Sequence, residues 1–339
     1  MEERKSDERE REREMGTGGM TVGARLGSAA LYSPGAFYFN PLKGLLQYAV
    51  GDSYDVGYKY FIRDHSEPNN LALHMIALVW QLVGNFGLLA CADKALGVTF
   101  IAPVTALIWI ATLFAGGAPL RTALPSAACI ALACVTAPAM DARVVEVSLT
   151  AAFIACSALA ALVENAVSSK PRFGLWRALR VSVPWMGGLV AVREVAALLG
   201  KDALKGSTLP ASILLIAVSM AGGMQQKPTK PMNWVGVGVS RVLGELSGQT
   251  WMIWLGQQAM AGISQGVAHK VTLQASTLGS HEQNDAEDRM TKLGYECSHV
   301  VYFPALCINA VLDSIDSAMG GKPLYIAPPC AENAIEVES

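Results

Sequence analysis

Eight apolar runs, nearly free of charge, dominate this chain. They are Leu71–Ala92, Val98–Gly116, Ala123–Met140, Val147–Val167, Val181–Leu199, Leu209–Met224, Thr250–Ala268 and Ser298–Leu312. Each is close to the ~20 residues a helix needs to cross a bilayer. Several are rich in Ala, Gly, Ser and Cys, which let membrane helices approach closely. Composition points the same way: 52% of the residues are apolar and 16% charged, where a soluble domain carries about 25% charge. Much of that charge is confined to MEERKSDERERERE at the start of the chain. The expected fold is therefore all-α, a multi-pass transmembrane bundle of about seven or eight helices with the lipid bilayer as its solvent.

The same numbers exclude other classes. A net charge of −2 offers no cationic footprint, so no nucleic-acid partner is expected. Five of the seven cysteines (Cys91, Cys129, Cys134, Cys156, Cys307) lie in apolar runs and only Cys297 and Cys330 outside them. No CxxC pair occurs, so neither a disulfide framework nor a zinc ribbon is indicated. No apolar stretch follows the basic N-terminal residues, and a cleaved signal peptide is not expected. GxSxG, HExxH and GxxxxGK are all absent, which removes the common hydrolase and nucleotide motifs.

Residues 1–20 read as a charged, solvated tail and 21–70 as a juxtamembrane segment, amphipathic and suited to the membrane surface. Residues 71–314 read as the transmembrane domain and 315–339 as a C-terminal tail. Gln225–Trp234 is proline-rich and reads as a loop. Residues 279–296 form the longest interior hydrophilic loop, and the Gly236 and Gly238 stretch reads as helix packing or a turn. The distribution of Lys and Arg between the two sides places the N-terminus in the cytosol.

Few ionisable groups fall at membrane depth. Glu164, Arg193 and Glu194 are nearest to apolar runs, with Glu245 beyond them. Two readings stay open: charges near helix ends that snorkel to water, or a polar pathway through a non-enzymatic transporter, channel or scaffold.

The histidines are the more specific signal. The chain has five, and His65, His74, His269 and His299 all sit where apolar sequence meets polar. His65-Ser66-Glu67-Pro68-Asn69-Asn70 reads as a helix start, with Pro68 in the first turn. Asn70 and His74 then lie four apart on one face. Neutral imidazole suits iron, zinc, copper and nickel, and spacing alone does not choose among them.

The pattern His65-x-x-Pro68-x-Asn70-x-x-x-His74, opening a membrane helix, resembles the first signature of the small multi-pass endoplasmic-reticulum proteins related to yeast 2-hydroxy-fatty-acid dioxygenase. Their second signature is Gly-His, a Glu a few residues on, then Pro-Ala-Leu before a final apolar helix. The counterpart here is Ala268-His269, Gln274, and Ser276-Thr277-Leu278 before Ser298–Leu312. The glycine and the acidic residue are thus replaced. The resemblance covers about a third of the chain by its motifs. It implies an integral membrane enzyme of the endoplasmic reticulum that shortens a 2-hydroxy fatty acid by one carbon. It implies Fe(II) held by His65, His74 and His269, a fatty-acyl substrate entering from the bilayer, and Asn70 as a catalytic-site residue orienting a ligand or oxygen.

Topology constrains that reading. His74 and His269 share a membrane face only if an even number of crossings separates them. The apolar runs count seven, so one was expected not to cross, and Val181–Leu199, with Pro184, Arg193 and Glu194, was the segment expected to be re-entrant or interfacial.

Overall fold

The computed structural model describes residues 22–31, 33–200, 202–223, 231–274 and 289–320, which are helical with no strand. We number the helices α1 (Val22–Leu31), α2 (Pro34–Phe37), α3 (Asn40–Val50), α4 (Tyr54–Asp64), α5 (Pro68–Leu96), α6 (Ile101–Ala115) and α7 (Leu120–Thr136). There follow α8 (Ala142–Val167), α9 (Leu175–Leu198), α10 (Thr208–Gly223), α11 (Pro231–Ser247), α12 (Thr250–Thr272) and α13 (Arg289–Ala318). Among the described residues, five helices are long and apolar enough to cross a membrane: α5, α7 with its 3₁₀ extension to Ala139, α8, α9 and α13. Two more, α6 and α10, are apolar but shorter. Large apolar side chains such as Leu107, Leu132, Val135, Leu159 and Ile213 face outward on α6, α7, α8 and α10, as a bilayer environment requires.

Helix α12 is the exception that organises the rest. It buries Gln257, Gln258, Ser264, Gln265 and His269, and it is enclosed by α5, α8, α9, α11 and the short α2. Polar side chains are tolerated there because protein, not lipid, surrounds them. It runs antiparallel to α5: His74 faces His269, Gly84 faces Gln258 and Gly87 faces Trp254. The two glycines allow this approach. A Cβ at Gly84 would lie 3.0 Å from the backbone N and Cα of Gln258. Replacing Gly84 with valine is therefore expected to force α5 and α12 apart, at about 1–3 kcal/mol. A lowered thermal midpoint in detergent checks this, and an unchanged midpoint contradicts it.

The helix ends follow local chemistry. Helix α5 opens with Pro68 after an extended Glu67 and closes at Gly97, whose left-handed φ of 66° lets its N–H reach the carbonyls of Asp93 and Lys94. Asp141 caps α8 by accepting from the N–H groups of Arg143 and Val144 at 2.8 and 3.2 Å. Pro184 falls in a π-helical turn, Val183–Gly187, inside α9. The irregular turn leaves the helix continuous.

Several sequence expectations change here. Within the segment read as juxtamembrane, residues 33–64 pack one face against the helical bundle. Tyr38, Asn40, Lys43, Gln47, Tyr54, Tyr58 and Phe61 are buried, and α3 and α4 pack on α13. Gln47 Nε2 donates to Tyr302 Oη at 3.2 Å, and Tyr58 Oη bonds Asp313 Oδ2 at 2.5 Å. The amphipathic faces found a protein partner in place of lipid. The break between α2 and α3 is held by side chains of the bundle. Asn85 accepts from Asn40 N at 2.8 Å and donates to the Tyr38 carbonyl at 3.2 Å. The Gly236 and Gly238 stretch is helix α11, and residues 289–296 of the expected hydrophilic loop belong to α13. Residues 1–20, 225–230, 279–288 and 321–339, which the sequence presents as tails and loops, lie outside the described residues.

Candidate metal centre

Three elements bring three imidazoles together. His65 follows the last residue of α4 as its C-cap. His74 is on the second turn of α5, and His269 is one turn from the end of α12. His65 Nε2 lies 3.0 Å from His74 Nε2 and 3.2 Å from His269 Nε2. All three residues are buried, and their ligand atoms lie within 4.8 Å of one another. Two ligands on bonds of about 2.1 Å stand about 3.0 Å apart at a right angle and about 3.4 Å apart at the tetrahedral angle. The observed spacings fall in that interval.

The opposite ring nitrogens are held in place. His65 Nδ1 donates to the Phe61 carbonyl at 2.8 Å, and His74 Nδ1 to the Asn70 carbonyl at 2.9 Å. Each bond fixes the tautomer that leaves the Nε2 lone pair facing the centre. Asn70 Nδ2 lies 3.2 Å from His269 Nδ1 and 3.2 Å from Thr272 Oγ1, while Asn70 Oδ1 is buried with no hydrogen-bond partner. An amide's N and O are alike in shape. Turning the Asn70 amide over lets Oδ1 accept from His269 Nδ1, and all three Nε2 atoms then face inward as ligands. Burial, reinforced by the facing His74 and His269 imidazoles, pushes the His65 pKa well below its ordinary value, which keeps this ring neutral. A donor set of three imidazoles fits a transition metal of the iron or zinc type.

Aromatic rings close the inner side. Phe61 stacks on His65 at 4.0 Å between centroids, and Phe303 lies 6.3 Å from His74. Polar contacts close the outer side. Arg172 pairs with Glu67, Asn69 donates to Glu164 at 3.2 Å, Arg177 donates to the Lys270 carbonyl at 3.0 Å, and Gln274 donates to Ser66 Oγ at 3.1 Å. Replacing Asn70 with alanine removes one contact to His269 and the bridge to Thr272. Such outer partners typically contribute about 10–100-fold to metal affinity, so a loss of that size is expected in a chelator competition.

Of the other sequence-derived residues, Glu164 lies apart from the paired Arg193 and Glu194. Glu164 belongs to the polar cover at the histidine end of α8. Arg193 pairs at 2.7 Å with Glu146, near the other end of α8, and also with Glu194. Glu146 and Glu164 are about 27 Å apart along the helix, at 1.5 Å per residue. The parity question is answered differently from expectation. Residues 175–198 form one continuous helix that is long and apolar enough to cross a membrane. The helix passed over in the sequence is α11; with it eight helices among the described residues run from α5 through α12, α12 lies antiparallel to α5, and His74 and His269 come to one end of the bundle.

Some neighbours were not singled out by spacing. Thr272, three residues after His269, anchors Asn70. His299, read from sequence as one of the four histidines at the ends of apolar runs but given no ligand role, has its ring 6.0 Å from His65. It lies on α13 one turn after the buried Glu296 and one turn before Pro304-Ala305-Leu306. That literal tripeptide was the available signal. The counterpart assigned by distance from His269, Ser276-Thr277-Leu278, lies outside the described residues. No family model, curated protein or solved structure matches the chain.

Proposed function

We propose that the chain is an iron(II)-dependent dioxygenase of the endoplasmic-reticulum membrane, with its N-terminus in the cytosol, acting on 2-hydroxy fatty acids and shortening them by one carbon. The observation that carries this is the convergence of His65, His74 and His269 with their Nε2 atoms 3.0 and 3.2 Å apart. The motif resemblance supplies the choice of iron and of substrate. His65, His74 and His269 hold the metal, and Asn70 orients His269. Phe61 and Phe303 keep bulk water from the centre, and the surrounding apolar helices suit an acyl chain arriving from the bilayer. Bound iron would supply the oxygen chemistry, while the protein fixes geometry and access.

The test is reconstitution. Purified protein is loaded with Fe(II) in detergent, given a 2-hydroxy fatty acid in air, and analysed by mass spectrometry for the acid one carbon shorter. Appearance of that product supports the reading. A protein that takes up iron at the histidines and leaves the hydroxy acid intact would falsify the substrate assignment, and one that takes up no transition metal defeats the enzyme reading.

A further inference from the structure

Away from the histidines, α8, α9 and α11 enclose a second cluster of charge. Glu146, Arg193, Arg241 and Glu245 are each at most 1% exposed. One carboxylate is shared by two guanidiniums: Glu146 Oε2 lies 2.7 Å from Arg193 Nη1, and Oε1 lies 2.5 Å from Arg241 Nη2. Gln257 Nε2 approaches Glu146 Oε2 at 3.4 Å. Arg143 pairs with Glu245, and Arg193 reaches outward to Glu194, which is 55% exposed.

Donors outnumber acceptors in this cluster. Arg241 Nε and Nη1 and Arg193 Nε are buried and make no hydrogen bond, while Arg241 Nη2 is engaged by Glu146. The Thr150 hydroxyl, one turn beyond Glu146 on the same face of α8, is also buried without a hydrogen-bond partner. A guanidinium has five N–H donors, has no acceptor and keeps its proton. Its unused donors therefore call for an acceptor that these side chains do not provide. The charge count agrees. With Arg143 and Glu245 taken as a neutral pair, the shielded interior holds two guanidiniums against Glu146. The one remaining positive charge is offset by Glu194, which water screens. Such an imbalance is costly at low dielectric.

We propose that Arg193 and Arg241 form a binding site for a small monovalent anion of the halide class. The size follows from the packing. A Cβ at Gly256 would lie 2.9 Å from both Arg241 Nη1 and Ser240 Oγ, and packing this close favours a small ion over a phosphate headgroup. An acyl carboxylate would need an exit for its chain between fully buried side chains. The partly exposed Arg143 and Glu194 mark the side from which the ion enters.

The experiment uses the full-length protein in detergent, with thermal unfolding followed in sodium chloride and in sodium gluconate at equal ionic strength. Chloride is expected to raise the wild-type midpoint saturably, and gluconate to leave it unmoved. Arg241→Met should lose the chloride response, while Arg193 still pairs with Glu146. If that variant does not fold, Gly256→Ala, which crowds Nη1, should move the half-maximal response to higher chloride. A bromide anomalous peak between the two guanidiniums supports the site without any variant. Equal wild-type midpoints in the two salts, a chloride response retained by Arg241→Met, or no bromide peak there in crystals grown in bromide overturns it.

Discussion

His74→Ala protein is expected to retain its fold, to hold no iron above background and to leave a 2-hydroxy fatty acid unchanged. The removed ring supplies one of three Nε2 atoms, and its neighbour His65 Nε2 is 3.0 Å away. Two imidazoles of the three-histidine group then remain. The loss should exceed the about 10–100-fold typical of an outer partner, since a bonded ligand disappears. The fold should tolerate the change because the backbone hydrogen bonds of α5 are untouched, and the ring's own bond is to Asn70 one turn away on the same helix. Metal content by elemental analysis, circular dichroism and turnover are read on one preparation. Wild-type turnover by an iron-loaded His74→Ala sample would sink the assignment of these histidines.

Glu146→Ala should be the most destabilising single change away from the histidines. It leaves Arg193 and Arg241, both buried, without the carboxylate they share. Removing one member of a buried pair costs about 3–5 kcal/mol, because the partner charge stays buried and uncompensated. Here two partners are stranded, and the contact joining α8 to both α9 and α11 is lost. Glu146→Gln keeps shape and part of the hydrogen bonding and should fall between wild type and alanine. Chemical or thermal unfolding in detergent reads the order directly. A Glu146→Ala protein as stable as wild type would show that these arginines reach water or another counter-ion in its absence.

The resemblance and the helix-start reading together picked out His65, Asn70 and His74, because their spacing is local. Pro68 sets the turn, and four residues return Asn70 to the face of His74. His269 could be named from its place at the end of an apolar run, although its chain distance from His74 carries no information on contact. The fate of the other polar groups was hidden. Arg193 looked like an end-of-helix charge able to snorkel, yet its partner Glu146 is 47 residues away in sequence, and only the packing of α9 on α8 joins them. Helix α11 was missed because Arg241, Glu245 and its glycines lower its apolar character. Those features belong to a helix whose charges are paired inside the bundle.

By itself the sequence determined the class of fold, since long runs without charge can satisfy their backbone in lipid only as helices. It also determined the local histidine signature at the start of α5. Tertiary structure decided which helix faces point outward and which meet protein, and it packed one face of α2–α4 against the bundle. It set the helix directions that carry His269 back to His74, and it separated Glu164 from Arg193 by most of the length of α8. The reason is physical: helix formation is decided by neighbours in the chain, whereas the pairing of a buried charge or a ligand is decided by which distant helix packs against it.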